Sequence, residues 1–301
     1  MSKAPRAADH ARLLLLAVVW SSSFITMKLA AETIPPATVT AARIVLAALI
    51  LYPIMRAQGH RLPRDGRTWL LFLGIALAGN SLPFLLITEG LAHVDSGTGA
   101  ILMAAVPLCA VLMAHVLVPG ERLTWRSLAG VAVGYAGVAA MVGPAALAQS
   151  SMTLGETAGA QATILGGAFL YALAAVLARR LPPMPPEVPG AGVMLAAAAV
   201  SLPLAFLLDD PTALRPQADS IIATVVLGLV PTAFASILFF RLAAATSATY
   251  LAMTNYLVPV LGVAWGALLL DEHFGGSEAL ALALILAGVW LVGRTGPSSN
   301  R

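Results

Sequence analysis

The second half of this chain repeats the first half about 151 residues further on. Trp20 corresponds to Tyr171, and the dipeptide Val106-Pro107 returns as Val258-Pro259 after one inserted residue. A repeat of this length predicts two similar structural halves that pack against each other. Any fold proposed for the chain must therefore contain the same arrangement of elements twice.

Composition places both halves in a membrane. Hydrophobic residues make up 59% of the chain and charged residues only 10%, whereas soluble domains carry about 25% charged residues. Because a hydrocarbon core about 30 Å thick needs roughly 20 apolar residues per helix, the sequence predicts ten spans. They are residues 13–30, 37–55, 69–90, 97–118, 127–143, 158–178, 190–207, 220–240, 247–270 and 277–293.

Each half holds an odd number of spans, so the two halves cross the bilayer in opposite orientations. Inverted repeats of this kind are typical of secondary transporters. We therefore expect an all-α integral membrane protein whose ten transmembrane helices form two inverted five-helix repeats around a central cavity. The predicted divisions are an N-terminal segment (1–12), a first repeat (13–143), an outer linker (144–157), a second repeat (158–293) and a C-terminal tail (294–301).

Lysine and arginine predict the orientation. Fourteen of the 17 lie on the side that holds the N-terminus, and the exceptions are Lys28, Arg43 and Arg215. Both termini are therefore expected to be cytoplasmic in a multi-pass protein of the inner (plasma) membrane. The bilayer and a small-molecule substrate are the expected partners. Nucleic acid is not, because no basic patch is interleaved with exposed aromatic residues.

Prolines interrupt the spans in matched pairs, which are Pro83 with Pro231 and Pro107 with Pro259. A proline inside a helix removes one backbone hydrogen bond and clashes with the preceding turn. Corresponding breaks in both repeats point to a transport site near the middle of the bilayer. We interpret the four prolines as hinges beside a cavity; static kinks are the alternative.

Polar and aromatic side chains on the same spans are the candidate cavity residues. An amide that faces lipid is costly, so Asn80 and Asn255 must face protein or a wet cavity. A serine or threonine hydroxyl can instead bond to its own helix, and Trp20 can instead anchor at the membrane interface. The full candidate set is Trp20, Ser21, Ser23, Asn80, Met103, Tyr171, Thr232, Ser236, Tyr250, Asn255 and Tyr256.

Charged candidates are few. Lys28 and Arg43 are expected near the outer ends of spans 1 and 2, where Lys28 either pairs with Glu32 or serves coupling or gating. Glu89 ends span 3, as a proton-binding group or as a solvated helix end. The interior is otherwise expected to be nearly free of charge. We expect no metal ion, no cofactor and no disulfide, since Cys109 is the single cysteine.

Small residues recur on spans 5 and 10, at Gly130, Gly134 and Gly137 and at Ala279, Ala283 and Ala287. Small residues at every fourth position allow two helix backbones to approach closely. The pattern favours packing of span 5 against span 10 within one chain. An interface between two copies is the alternative, so a monomer and a homodimer both stay open.

Three stretches resemble the EamA-type exporters of the drug/metabolite transporter superfamily. "WSSSFITMKLAAETIPPATVTAARIVLAALIL" (20–51) resembles the opening of the family, and "MAAVPLCAVLMAHVLVPGERLTWRSLAGVAVGYAGV" (103–138) resembles the end of one repeat. "TNYLVPVLGVAWGALLLDEHFGGSEALALALILAGV" (254–289) repeats that end, with Ala281 where the first copy has Gly130. The resemblance implies a basket of helices 1, 3, 4, 6, 8 and 9 around a cavity that opens alternately to each side.

Within that family the chain is most similar to exporters of neutral and aromatic amino acids, which implies facilitative export through a hydrophobic cavity. The alternative is a proton-coupled efflux protein for drugs or toxic cations, which usually needs an intramembrane carboxylate; no Asp or Glu lies in the middle of any predicted span. A channel fits paired helix breaks less well. An intramembrane enzyme is not expected, because the five histidines are scattered and form no catalytic or metal-binding pattern.

Overall fold

The computed structural model describes residues 7–117, 124–147, 152–246, 248–251 and 253–293. This part of the chain is helical throughout, with turns between the helices and no strand. The first half contains α1 (Ala7–Ala31), α2 (Pro36–Ala57), α3 (Gly66–Ala76), α4 (Leu82–Leu91), α5 (Ser96–Met103), α6 (Val106–Leu117) and α7 (Trp125–Leu147). The second half contains α8 (Met152–Ala178), α9 (Glu187–Leu208), α10 (Ala218–Leu227), α11 (Ala235–Ala245), α12 (Ala248–Leu251), α13 (Thr254–Leu269) and α14 (Gly276–Gly293).

These helices form ten membrane-crossing segments, which confirms the predicted all-α fold. Seven segments are long and apolar enough to cross a bilayer, and α13 and α14 are shorter apolar helices. The tenth is α7, which packs along α14. Span 3 consists of α3 and α4, span 4 of α5 and α6, span 8 of α10 and α11, and span 9 of α12 and α13.

Packing between the halves follows the inverted repeat. The neighbours α4 and α8, from spans 3 and 6, have their counterpart in α1 and α10, from spans 1 and 8. The neighbours α1 and α13 have theirs in α8 and α6. The pairs α2 with α9, α5 with α13 and α7 with α14 each join a span to its own repeat partner. The halves therefore interdigitate and share one core.

The glycines of span 5 pack against span 10 of the same chain, as predicted, but they meet Ala281 and Gly288, whereas the predicted Ala279, Ala283 and Ala287 are exposed. A methyl group added to Gly130 would lie 2.7 Å from the Gly288 carbonyl oxygen, and one added to Gly288 would lie 2.5 Å from the Gly130 carbonyl oxygen. Only glycine permits such an approach without a shift of the backbone. The helices also extend into the predicted linker of residues 144–157, because α7 ends at Leu147 and α8 begins at Met152.

Both halves interrupt their third span with a π-helix. The first π-helix is Leu77–Ser81 and the second is Gly228–Phe234, so they overlap when the repeat of about 151 residues is applied. Pro231 lies inside the second π-helix, whereas Pro83 follows the first and is the second residue of α4. Because π-helices are rare and concentrate at functional sites, these two matched segments mark where a site is expected.

Span 4 is also broken. A turn at Ala104 and Ala105 separates α5 from α6, and Pro107 is the second residue of α6. In span 9, α12 ends at Leu251 and α13 begins at Thr254, with Pro259 inside α13. The predicted prolines thus lie at or within one or two turns of real interruptions, and their action as hinges stays a prediction.

Candidate substrate cavity

A cavity of about 320 Å³ lies between the two halves, beside both π-helices. Its volume is at the lower end of the range for small-molecule sites, about 300–1,000 Å³. Ten of the residues singled out in the sequence line it: Trp20, Ser23, Asn80, Met103, Tyr171, Thr232, Ser236, Asn255, Pro231 and Pro259. The repeat brings Trp20 and its counterpart Tyr171 to the same cavity.

Other candidates lie elsewhere. Ser21 is fully buried against span 9, where its Oγ accepts a hydrogen bond from Trp265 Nε1 at 3.0 Å. The Tyr250 hydroxyl lies 2.6 Å from His10 Nδ1, near the start of α1. Tyr256 packs against the hydrophobic core, and Pro83 and Pro107 do not line the cavity either. The structure therefore places these five residues in packing positions around the cavity.

Several polar groups in the cavity wall make no hydrogen bond within the described part of the chain. The Trp20 indole, the Tyr171 hydroxyl and the side-chain amides of Asn80 and Asn255 make no hydrogen bond to any residue that the structure describes. Buried polar groups are ordinarily paired with protein, water or ligand. These four side chains are therefore available to a substrate or to water.

Arg43 is a charged residue of the cavity wall that the sequence patterns did not predict. It was expected near the outer end of span 2, in an interior almost free of charge; instead it is 3% exposed and lines the cavity. Arg43 lies seven residues after Pro36, the first residue of α2, and at 1.5 Å per residue this is about 10 Å into the helix. Multiplying the number of residues from the helix start by the rise per residue would have placed Arg43 inside the bilayer.

The guanidinium of Arg43 is held by the broken helix of span 8. Its Nε and Nη2 donate to Thr232 Oγ1 at 3.1 and 3.0 Å, and its carbon lies 3.7 Å from the centroid of the Phe84 ring. Thr232 Oγ1 itself donates to the carbonyl of Leu227 at 2.8 Å. That carbonyl lies four residues before Pro231, which has no N–H to offer it. The π-helix thereby orients the threonine oxygen as an acceptor for Arg43.

A network of charges joins the helices on the membrane face opposite the N-terminus. Lys28 Nζ lies 3.0 Å from Glu272 Oε1 and 3.1 Å from Asp95 Oδ1, so its expected pairing with Glu32 is wrong. Glu272 also accepts hydrogen bonds from the Ser96 N–H at 2.8 Å, the Ser96 hydroxyl at 2.9 Å and the Gly97 N–H at 3.2 Å. The partners were missed because they lie 67 and 244 residues away.

Through this network, α1 is bonded to the start of α5 and to the connection between α13 and α14. Burial alone would raise the pKa of the Glu272 carboxyl, but the hydrogen bonds from Ser96, Lys28 and Gly97 outweigh burial and hold that pKa below its ordinary value. The Phe274 ring covers Gly97, where any side chain would overlap it. On this face the helices around the cavity are tied together and covered.

Glu89 lies apart from both the network and the cavity. Its side chain is 53% exposed at the end of α4, with Oε1 3.8 Å from His93 Nε2. No aspartate or glutamate is among the described residues that line the cavity. In the described part of the chain, the groups aimed into the cavity are thus one cation and several neutral polar side chains.

A second cavity of about 510 Å³ lies toward the face that holds the N-terminus. It shares Asn80, Met194 and Ser236 with the central cavity, and it reaches the connection between α8 and α9 at residues 181–186. The central cavity therefore leads toward the N-terminal face while the Lys28 network ties the opposite face. One closed and one accessible face is the arrangement that alternating access requires of a resting state.

The EamA-like transporter family matches this chain over residues 11–143 and 159–294. The chain belongs to the EamA-like transporter family. This confirms the resemblance drawn from the quoted motifs, and it identifies the protein as a membrane transporter with two copies of the family unit.

Relatives of known name support the membership. The chain is 29% identical over 286 residues to a probable terminal-alkyne amino-acid exporter of Streptantibioticus cattleyicolor, covering 94% of this chain and 92% of the relative. It is 26% identical over 289 residues to an S-adenosylmethionine/S-adenosylhomocysteine transporter of Chlamydia trachomatis, covering 93% and 87%. A crystal structure with 23% identity matches it with a TM-score of 0.64, over 95% of this chain and 96% of that one, which shows the same fold.

Proposed function

We propose that this EamA-like transporter exports neutral and aromatic amino acids across the inner membrane by facilitative alternating access. The observation that carries the proposal is the cavity between the inverted halves. It combines aromatic surfaces from Trp20, Phe84 and Tyr171 with polar groups that have no partner in the described part of the chain. A compound with an apolar body and a small polar head matches both features.

The names of the relatives point to the same head group. Amino acids, S-adenosylmethionine and S-adenosylhomocysteine all carry an α-amino and an α-carboxylate group, although their remaining parts differ greatly in size. A cavity of about 320 Å³ is at the lower end of the range for small-molecule sites, which suits a single amino acid better than a nucleoside conjugate. This size is the reason for proposing the smaller substrate class.

Facilitative transport is proposed because the cavity offers no proton carrier. Proton-coupled efflux usually relies on a carboxylate in the membrane interior, and no Asp or Glu lines the described cavity. Glu89, the candidate from the sequence, is half-exposed at a helix end. The excess of lysine and arginine on the N-terminal face supports cytoplasmic termini, and with that topology the accessible cavity faces the cytoplasm, the side from which an exporter loads.

The test is transport by the purified protein in liposomes. Labelled neutral and aromatic amino acids and one organic dication are supplied with and without a pH gradient, and protein-free liposomes serve as the control. The expected result is saturable amino-acid flux that is the same with and without the gradient. Flux of the dication alone, driven by the gradient, would refute the proposal in favour of proton-coupled cation efflux.

A further inference from the structure

Arg43 is the single charged side chain among the described residues that line the central cavity. It is 3% exposed, and no aspartate or glutamate of the described chain forms an ion pair with it. A cation in the membrane interior without a carboxylate is costly. Its presence in a transport cavity therefore requires an explanation beyond packing.

The hydrogen bonds of Arg43 leave part of its guanidinium free. A guanidinium carries five N–H donors. Nε and Nη2 donate to Thr232 Oγ1, and Nη1 donates to the Met27 sulfur at 3.2 Å, which is a weak acceptor. One N–H on each terminal nitrogen has no acceptor among the described residues. The two terminal nitrogens form one edge of the planar guanidinium, and donors along such an edge can pair with both oxygens of a carboxylate.

We propose that Arg43 binds the carboxylate of the substrate, so that the transporter selects neutral amino acids by their charged head. The inference rests on the proposed function and assigns one end of its substrate to one side chain. Thr232 and the Phe84 ring hold the guanidinium in position before the substrate arrives, so little conformational freedom is lost on binding. The substrate carboxylate supplies the negative charge that no described side chain provides for Arg43.

The second repeat has an uncharged residue at the position of Arg43. The equivalent position in the second half, 151 residues further on, is Met194, which also lines the cavity. Span 7 therefore packs with an uncharged methionine where span 2 carries arginine. The charge is therefore present in one half and absent from the other, and it faces the cavity. Binding of a charged group in the cavity explains this difference best.

The neutral polar groups complete a site for a zwitterion. The amide oxygens of Asn80 and Asn255 can accept hydrogen bonds from an ammonium group, and the faces of Trp20 and Tyr171 can attract the same cation. All four side chains line the cavity with Arg43. The apolar body of the substrate then packs against the aliphatic remainder of the wall.

Binding of three matched ligands to the purified protein tests the proposal. L-phenylalanine has both charges, L-phenylalaninamide keeps the ammonium but has no carboxylate, and phenethylamine has neither carboxylate nor amide. Their Kd values are measured by calorimetry for the wild type, Arg43→Met and Arg43→Lys. Arg56→Met is the matched control, since Arg56 lies on the same helix at an exposed position and, among the described residues, bonds only the His60 carbonyl.

In the wild type, L-phenylalanine is expected to bind about 10- to 100-fold more tightly than its amide, the range for a hydrogen bond to a charged group. Arg43→Met should weaken L-phenylalanine by the same factor and leave the amide unchanged, Arg43→Lys should lie between, and Arg56→Met should match the wild type. An amide that binds the wild type as tightly as the acid would overturn the proposal. So would an Arg43→Met protein that still prefers the acid.

Gel filtration and melting without ligand show whether each variant folds. The comparison of the three ligands on the wild type does not depend on the variants. Failure of the proposed function is distinguished by adding phenylacetate, a carboxylate without an amine. If amino acids do not bind but phenylacetate binds in an Arg43-dependent way, the substrate class is wrong and the carboxylate site stands. If only the amine binds, both proposals are refuted.

Discussion

Glu272→Gln should loosen the closed face of the transporter. The Glu272 carboxylate is 4% exposed and accepts four hydrogen bonds, from Lys28, Gly97 and both the N–H and hydroxyl of Ser96. Glutamine keeps the shape but replaces one oxygen with an amide that donates. If Oε1 is replaced, the Lys28 ammonium and the Ser96 N–H meet another donor; if Oε2 is replaced, only the Gly97 N–H does, because the Ser96 hydroxyl can turn and accept.

The size of the effect follows from those contacts. A hydrogen bond to a charged group contributes about 1.5–3 kcal/mol, and one or two are lost, depending on which oxygen is replaced. Because Lys28 is partly exposed and keeps Asp95 as a partner, solvent screening reduces the total. We expect about 2–4 kcal/mol, which at 1.4 kcal/mol per factor of ten lowers the ratio of closed to open states about 30- to 700-fold.

Cysteine labelling measures that ratio. In a Cys109→Ala background, Ser23→Cys places a thiol on the cavity wall, and a membrane-impermeant maleimide is added from the face opposite the N-terminus. Glu272→Gln should speed labelling from that face by a factor within the range above, up to the rate of a fully open cavity. Glu278→Gln is the matched control, because its bonds to Gly275 and Ser277 are exposed. Equal labelling rates in the wild type and Glu272→Gln would refute the assignment of this network as a closure.

Three further predictions concern pH, helix packing and the hinges. Because the Glu272 pKa is held below its ordinary 4.5, its contribution to closure is present above pH 4.5 and is lost as pH falls through the lowered pKa. The labelling rate of Ser23→Cys, divided by that of free cysteine at the same pH because the thiolate is the reactive form, should therefore rise only in acid. Gly288→Ala should lower the melting temperature, at a cost of about 1–3 kcal/mol for overpacking, because the new methyl group meets the backbone of span 5. Pro259→Ala should slow transport more than it weakens substrate binding.

Each of these has a discriminating control. The acid response should disappear in Glu272→Gln, and a response that persists there belongs to another group. Gly159→Ala adds a methyl group with nothing within 4 Å, so a loss of stability equal to that of Gly288→Ala would contradict close packing of spans 5 and 10. Turnover equal to the wild type in Pro259→Ala would return that proline to the role of a static kink.

The ten helices were predictable because bilayer thickness and hydropathy determine span length almost without reference to tertiary contacts. The opposite orientation of the two halves was also predictable, because each half contains an odd number of spans. Helix limits were less accurate at α7 and α8, which extend beyond the predicted spans into the linker. Polar residues such as Thr153 and Glu156 lower the hydropathy before predicted span 6, and Gly143 and Pro144 suggested an end to span 5, but both helices continue through these residues.

The site was only partly predictable. Asn80, Trp20, Tyr171 and Asn255 were found because polar or amphipathic groups within apolar spans need a cavity or a partner. Ser21 was a candidate on the same argument and instead bonds Trp265, a contact between spans 1 and 9 that no local pattern reveals. The three-way pairing of Lys28 required the third dimension as well, because its partners come from two other spans.

Arg43 has no charged counterpart in the second repeat, and its position on α2 bears on how the substrate is held while the helices move. Exchange of roles between inverted repeats moves the helices of one half relative to the other, but α2 and α9 are repeat partners that pack on each other. Such a pair maps onto itself under the pseudo-two-fold relation, so it lies at the axis, where the exchange displaces it least. A substrate whose carboxylate is held from α2 can therefore stay in place while the closed face changes from one side to the other. The pairs of spans 4 and 9 and of spans 5 and 10 are related in the same way, but neither pair brings a charged side chain to the described part of the cavity wall.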